Sequence, residues 1–203
     1  MVSVVMPVYN DTAFSRTALD SILQQSYTNL EILIVNDGSN EETTALLKEF
    51  GGLDQRITVF NRERNGGVAL ALNDGVKLAK GDFIARMDSD DIAMPDRIER
   101  QVRFMQEHPE VDILGGAIEI FGQDVATRVA EHPRPASLVH FSMFFFCSLV
   151  HPTVMARRRV FERYQYPTNY TSAEDYALWL KIVTESDFKI ANLSKPPLLK
   201  YRR

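Results

Sequence analysis

The chain has few of the residues that most often announce a function. Cys147 is the only cysteine among 203 residues, so no disulfide can form within the chain and a reducing compartment is expected. Neither HExxH nor a Cys/His cluster is present, which argues against structural or catalytic zinc. No GxGxxG follows the first apolar run, and no GxxxxGKS or GxxxxGKT occurs anywhere. A dinucleotide-binding Rossmann enzyme and a P-loop enzyme are both disfavoured. The longest apolar run, at 143–150, falls far short of the ~20 residues needed to span a bilayer. The first residues lack a basic segment and meet Pro7 early, so no signal peptide is expected. A net charge of -4 argues against a general nucleic-acid binder. What remains, at 45% hydrophobic and 25% charged residues, reads as one ordinary globular core.

The apolar pattern alternates between strands and helices. Residues 2–6 read as a buried strand, and Asn10-Asp11 is suited to cap a helix over 12–25 with Phe14, Ala18 and Ile22 at four-residue spacing. Residues 32–35 form a second strand, and Ser39-Asn40-Glu41-Glu42 matches a capping box for a helix reaching Phe50. A strand over 57–60 follows, then a helix through Val68, Leu72 and Val76 that closes at Gly81. Residues 83–87 form a fourth strand. Pro95 suits the first turn of a helix whose Ile98, Val102 and Met105 share a face until Pro109. Residues 111–121 read as a strand interrupted at Gly115-Gly116, and 122–135 as a polar loop. A helix over 137–145, a helix over 173–186, and short strands at 188–193 and 198–201 complete the pattern; Phe144-Phe145-Phe146 is expected in the core. This alternation predicts an α/β, doubly wound, parallel sheet. Ligands of such sheets bind outside the carboxyl ends of the strands.

The polar residues that follow the predicted strands are therefore the candidates: Asn10, Asp37, Arg64-Asn65 and Asp88-Ser89-Asp90-Asp91. Three carboxylates within four residues repel one another unless a cation or ligand compensates for them. Hard divalent ions choose such oxygens, and Mg²⁺ commonly joins protein carboxylates to substrate phosphates. Taken alone, the cluster reads more readily as a solvated acidic turn than as a site. Glu174-Asp175 opens the late helix, where an acidic residue is favoured by the helix dipole with or without a catalytic role.

Val4-Val5-Met6-Pro7-Val8-Tyr9-Asn10, Asn36-Asp37-Gly38-Ser39, Asp88-Ser89-Asp90-Asp91 and Glu174-Asp175 together resemble the inverting glycosyltransferases of family 2, in order along essentially the whole chain. The resemblance implies the GT-A fold, a Rossmann-like three-layer sandwich around a mostly parallel sheet. It implies a nucleotide-sugar-binding half over 1–121 and an acceptor-side half over 122–203. It also implies that Pro7, Val8, Tyr9 and Asn10 line the nucleobase and ribose and that Asp37 recognises uracil. An ionised carboxylate, being acceptor-only, suits an imide N–H. Asp88-Ser89-Asp90 becomes the DxD motif, with Asp88 by the ribose and Asp90 on a Mn²⁺ or Mg²⁺ ion that bridges the diphosphate. Arg64 and Asn65 become contacts to nucleotide and phosphates, and Asp175 the base that deprotonates the acceptor. Asp91 is divided between donor and structural roles, Glu174 accompanies the base, and His151 is a candidate contact to acceptor or diphosphate.

The resemblance further implies a UDP-sugar donor and a glycan or lipid-linked hydroxyl acceptor. It places the activity in the bacterial cytoplasm or at the inner face of the plasma membrane, in surface-polysaccharide synthesis, and admits peripheral membrane association. The QxxRW signature of processive synthases is absent, as Ala177-Leu178-Trp179 does not match it, so a single transfer is expected. The chain is expected to stop short of its natural C-terminus, with a further metal-binding histidine beyond Arg203. Two alternatives stay open, a sugar nucleotidyltransferase and a non-catalytic sugar-nucleotide-binding module. The first needs a glycine-rich, basic first loop that Val8-Tyr9-Asn10-Asp11 does not offer. An aspartyl phosphatase would need its nucleophile after the first strand and Thr or Val at position 92, where Ile92 stands.

Overall fold

Strand β1 (Val2–Val8) sends Val2, Val4, Met6 and Val8 into one apolar cluster and Val5 into another. A strand's two-residue period splits its side chains between opposite faces, so a strand buried at nearly every position demands cover on both sides. The computed structural model describes residues 1–170 and 172–203. After β1 come α1 (Ser15–Leu23), β2 (Leu30–Asn36), α2 (Glu41–Gly51), β3 (Ile57–Asn61), α3 (Val68–Leu78), β4 (Phe83–Arg86), β5 (Ile92–Ala93) and α4 (Arg97–Glu107). The chain continues through β6 (Val111–Gly116), β7 (Ile118–Phe121), β8 (Arg128–Ala130), α5 (Ala136–Met143), a 3₁₀ turn (His151–Thr153), β9 (Met155–Arg157), α6 (Arg158–Arg163), α7 (Glu174–Glu185), β10 (Lys189–Leu193) and β11 (Leu199–Arg202).

Seven strands form the central sheet in the order β10-β6-β9-β4-β1-β2-β3. β1 pairs in parallel with β2 and β4, β2 with β3, and β6 with β10, whereas β9 runs antiparallel between β4 and β6. The sheet is thus mixed at one point rather than parallel throughout. A second sheet, β5-β11-β7-β8, joins the last strand to the segment after the acidic cluster. One core packs α1, α2 and α4 on the sheet through Ala18, Ile22, Phe50, Ile98 and Met105. The opposite core packs α3, α5, α6 and α7 through Leu72, Val139, Phe161, Leu178 and Trp179. Three layers result.

Several local expectations change. The predicted strand over 111–121 becomes two strands in different sheets. A Cβ on Gly116 would stand 2.4 Å from Leu198 Cδ1, so the absence of a side chain lets the second sheet approach where the chain leaves the first. The cap of α2 is Asn40, which accepts Thr43 N–H at 2.9 Å; Ser39 is drawn away by the first loop and takes Asn10 N–H at 3.1 Å. The helix expected over 12–25 begins at Ser15, after a turn in which Asp11 Oδ1 accepts Phe14 N–H. The helix expected to close at Gly81 ends at Leu78. Phe144, Phe145 and Phe146 are exposed at 57%, 70% and 47%, which corrects their expected place in the core. Val139 and Met143 supply the buried face of α5, and the chain beyond turns back onto Ser142 O with the three rings outward.

Candidate active site

An open cleft of about 830 Å³ lies over the carboxyl ends of β1, β2 and β4. Pro7, Val8, Tyr9, Asn10, Asp37, Asn65, Asp88, Ser89 and Asp90 are all in its wall, with Phe14 and Val68. Arg64, which is exposed, and Asp91, which is buried, are not wall residues. Glu174, Asp175 and His151 form a separate group.

The first loop is pinned to its neighbour. Asn10 sits in the left-handed region at φ 51°, its Oδ1 accepts Asn40 N–H at 2.8 Å, and its own N–H donates to Ser39 Oγ. Tyr9 is 52% exposed and presents its ring to the cleft. Asp37 is buried and fully engaged. Oδ1 accepts from the Arg62 guanidinium and from Gly66 N–H (3.0 Å), and Oδ2 accepts from Asn65 Nδ2 (3.1 Å) and Gly67 N–H (2.9 Å). Four donors meet the roughly four acceptor sites of an ionised carboxylate. Arg62 also pairs with Asp74 of α3 at 3.0 Å. Gly38 lets the two loops meet: its φ is +67°, and a Cβ there would lie 2.4 Å from the carbonyl carbon of Arg64.

Beyond β4, carboxylate oxygens of Asp88, Asp90 and Asp91 lie within 4.8 Å of one another. The buried Arg86 guanidinium pairs with Asp88. Asp91 is 1% exposed; its Oδ1 accepts Arg202 N–H at 2.8 Å, while Oδ2 is buried with no partner among the described residues. Burial pushes the Asp91 carboxyl up to about 7. Burial, then the charge of Asp88, raises Asp90 above the usual carboxylate range. Among the described residues no cation pairs with Asp90. A cluster of oxygen donors with one member left uncompensated fits a hard divalent cation. Arg202 closes the turn from outside: Nε donates to Asp90 O at 2.8 Å, and its guanidinium carbon lies 4.0 Å from the Phe14 ring centre. Arg97, fully buried beneath, donates to Arg86 O at 2.7 Å and to Gln101 Oε1 at 3.1 Å. Burial lowers its guanidinium to about 10.

Glu174 and Asp175 occupy the first turn of α7, after Ala173 at φ 63°. That conformation is uncommon for a residue with a Cβ and stores strain of about 1–2 kcal/mol. His151 Nδ1 lies 3.8 Å from Asp175 Oδ2, and Nε2 lies 3.0 Å from Tyr166 Oη. Burial, aided by the charge of Arg86, holds the His151 imidazole well below its ordinary range.

Arg62, Arg86, Arg97, Tyr166 and Arg202 escaped the sequence reading. Arg97 and Gln101 left a trace, two polar residues four apart on the side of the helix that Ile98, Val102 and Met105 bury. Arg86 left another, a charge inside an apolar strand. Tyr166 and Arg202 left none, because their partners are remote in sequence.

An open cleft at parallel strand ends, with part of an acidic cluster in its wall, on a three-layer mixed sheet is the arrangement of the GT-A fold of glycosyltransferases. The structure is similar to S. aureus TarS 1–349 in complex with UDP-GlcNAc, with a TM-score of 0.82 and 23% identity over 100% of this chain and 58% of that one. It is also similar to the mannosyltransferase PcManGT from Pyrobaculum calidifontis in complex with GDP-Man and Mn²⁺, at a TM-score of 0.70 and 19% identity over 97% of this chain and 54% of that one. In sequence the chain is 32% identical to the O-antigen biosynthesis glycosyltransferase WbnJ of Escherichia coli, over 100% of this chain and 79% of WbnJ. The family model described as glycosyl transferase family 2 matches residues 3–165, and the chain belongs to that family. It spans 79% of the length of WbnJ but only 26% of that of a glycosyltransferase of Rickettsia bellii to which it is 33% identical. No helix among the described residues is long and apolar enough to cross a membrane.

Proposed function

We propose that this glycosyltransferase moves one sugar from a UDP-sugar to a hydroxyl acceptor with inversion, using a divalent cation, in bacterial cell-surface polysaccharide synthesis. The observation that carries the reading is the single cleft lined by the first loop, Asp37, Asn65 and Asp88-Ser89-Asp90. The likeness to TarS bound to UDP-GlcNAc supports the nucleotide, and that to WbnJ supports the pathway class.

In this reading Tyr9 and the Pro7–Asn10 loop flank the base, and Asp37 accepts the uracil imide N–H. Because Asp37 already has four donors, one must give way. The exposed Asn65 amide, in the cleft wall, is the group free to move. Asp88, held by Arg86, meets the ribose. Asp90, with Asp88 beside it, holds Mn²⁺ or Mg²⁺, which when bound would neutralise charge on the leaving diphosphate. Arg64, on the exposed end of its loop, is assigned to the phosphates. Asp91 keeps the turn seated on β11.

Asp175 then takes the proton from the acceptor hydroxyl, with Glu174 beside it, as the oxygen attacks the anomeric carbon. The bond to the diphosphate breaks with its electron pair leaving on the nucleotide. One displacement inverts the centre, so a single base suffices. Residues 1–121 hold the donor in this scheme, and 122–203 supply the base and the face for a glycan or lipid-linked acceptor. The reaction then belongs on the cytoplasmic side, with peripheral contact to the inner membrane face where the acceptor is lipid-linked.

Isothermal titration with UDP tests donor binding. Tighter binding with Mn²⁺ than without is expected, and no binding in either condition would falsify the reading. Binding without transfer or donor hydrolysis would instead indicate a non-catalytic module. Release of pyrophosphate from a nucleoside triphosphate and a sugar phosphate would indicate a nucleotidyltransferase.

A further inference from the structure

His151 is a buried histidine whose two ring nitrogens face different partners, and together the partners decide which nitrogen carries the proton. Nε2 lies 3.0 Å from Tyr166 Oη, and Nδ1 lies 3.8 Å from Asp175 Oδ2. Among the described residues His151 is the only hydrogen-bond partner of the Tyr166 hydroxyl, so a Tyr166 O–H that donates within the protein has Nε2 as its acceptor. Burial raises the Tyr166 phenol well above its ordinary value, and burial with the charge of Arg86 keeps His151 neutral. A neutral imidazole that accepts at Nε2 must carry its hydrogen on Nδ1. That side faces an acceptor-only carboxylate.

We propose that Tyr166 and His151 form a hydrogen-bonded relay of positioning residues for Asp175, with Tyr166 Oη–H donating to His151 Nε2 and His151 Nδ1–H directed at Asp175 Oδ2. The inference rests on Asp175 being the base. The 3.8 Å gap must shorten to about 3 Å for a full hydrogen bond, as catalytic contacts commonly do once substrate is in place. The surroundings hold the relay still. His151 opens the 3₁₀ turn that leads into β9, in the middle of the sheet. The Trp179 ring stands edge-on to both His151 and Tyr166, at 6.0 and 6.2 Å between centres. Tyr176, next to the base, is tied by its hydroxyl to Met143 O at 2.8 Å. A donor aimed at Oδ2 fixes the orientation of the carboxylate.

His151→Asn and His151→Gln separate this role from packing. The Asn amide nitrogen stands one bond from Cγ, as Nδ1 does; the Gln amide nitrogen matches Nε2 instead. His151→Gln is expected to lower kcat about 10²-fold, the scale of a misplaced catalytic group, with donor KM and UDP binding unchanged. His151→Asn should retain most of kcat, and Tyr166→Phe should fall between the two. The charged and titratable groups around the pair are Arg86 from β4, Asp88 beyond it, Cys147, and Glu174 and Asp175 from α7; all are kept in these variants. A wild-type kcat in His151→Gln overturns the relay, as does a loss confined to donor KM or equal damage in the Asn and Gln variants. Should His151→Gln fail to fold on thermal melting, Tyr166→Phe with a wild-type kcat overturns it equally. An inactive wild type, or an active Asp175→Asn, removes the reading beneath; active wild type with inactive Asp175→Asn and unaffected His151→Gln removes the relay alone.

Discussion

Asp88, Asp90 and Asp91 leave the same strand end, yet Arg86 pairs with the first, no described cation pairs with the second, and β11 seals in the third. Their substitutions should therefore differ in kind. Asp88→Ala leaves a buried guanidinium unpaired and is expected to cost about 3 kcal/mol of stability, measured by urea unfolding. Asp90→Ala is expected to stay within about 0.5 kcal/mol and to lose instead the tightening of UDP binding by Mn²⁺. Asp175→Asn should bind UDP normally and lose transfer by about 10²- to 10⁴-fold; undiminished kcat would rule out the base. His151 adds a pH signature. Its folded value lies below the ordinary 6.5, so the unfolded chain binds the extra proton as pH falls below 6.5, and stability from this group is lost there. The slope is at most about 1.4 kcal/mol per pH unit. Asp91, raised to about 7, acts in the opposite sense, with stability falling as pH rises from about 4 toward 7. The two partly cancel in the wild type, so the check is the difference in melting temperature between wild type and His151→Asn, expected to narrow from pH 7 to pH 5.

At the scale of elements, the site is made where loops from different strands lock together. Gly38 is the tightest of these joints, since any side chain there meets backbone at 2.4 Å in a left-handed conformation. Gly38→Ala is expected to cost more than about 2 kcal/mol and to weaken UDP binding, because the Arg62 and Asn65 contacts to Asp37 depend on that approach. Unchanged UDP affinity in a folded Gly38→Ala protein would refute this coupling. Helix positions were legible where one period ran uninterrupted, as in α4, and the motif residues on strand ends were legible because parallel strands expose those ends together. The Phe144-Phe145-Phe146 run misled because hydrophobicity without periodicity does not say which way a ring points. The cap of α2 misled because Ser39 had a second claimant, Asn10, outside its own helix.

For the whole molecule, the later part of the chain completes what the earlier part begins. β9 is inserted between β4 and β6, β10 extends the same sheet beyond β6, and β11 pairs with both β5 and β7. A fragment of residues 1–121 is therefore expected to lack a cooperative unfolding transition by circular dichroism, whereas the full chain unfolds in one. A two-step transition of the full chain would contradict this. The sequence by itself determined the alternation of strands and helices, the acidic cluster at a strand end and the order of the motifs, since each is written in neighbouring residues and their local period. Only the tertiary structure decided that β9 runs against its neighbours, that Arg202 clamps the turn of Asp90 and Asp91, and that the two ring nitrogens of His151 face Tyr166 and Asp175. Each of these joins side chains or backbone brought together by packing rather than by local sequence, and no local pattern encodes which distant partner a buried donor will meet.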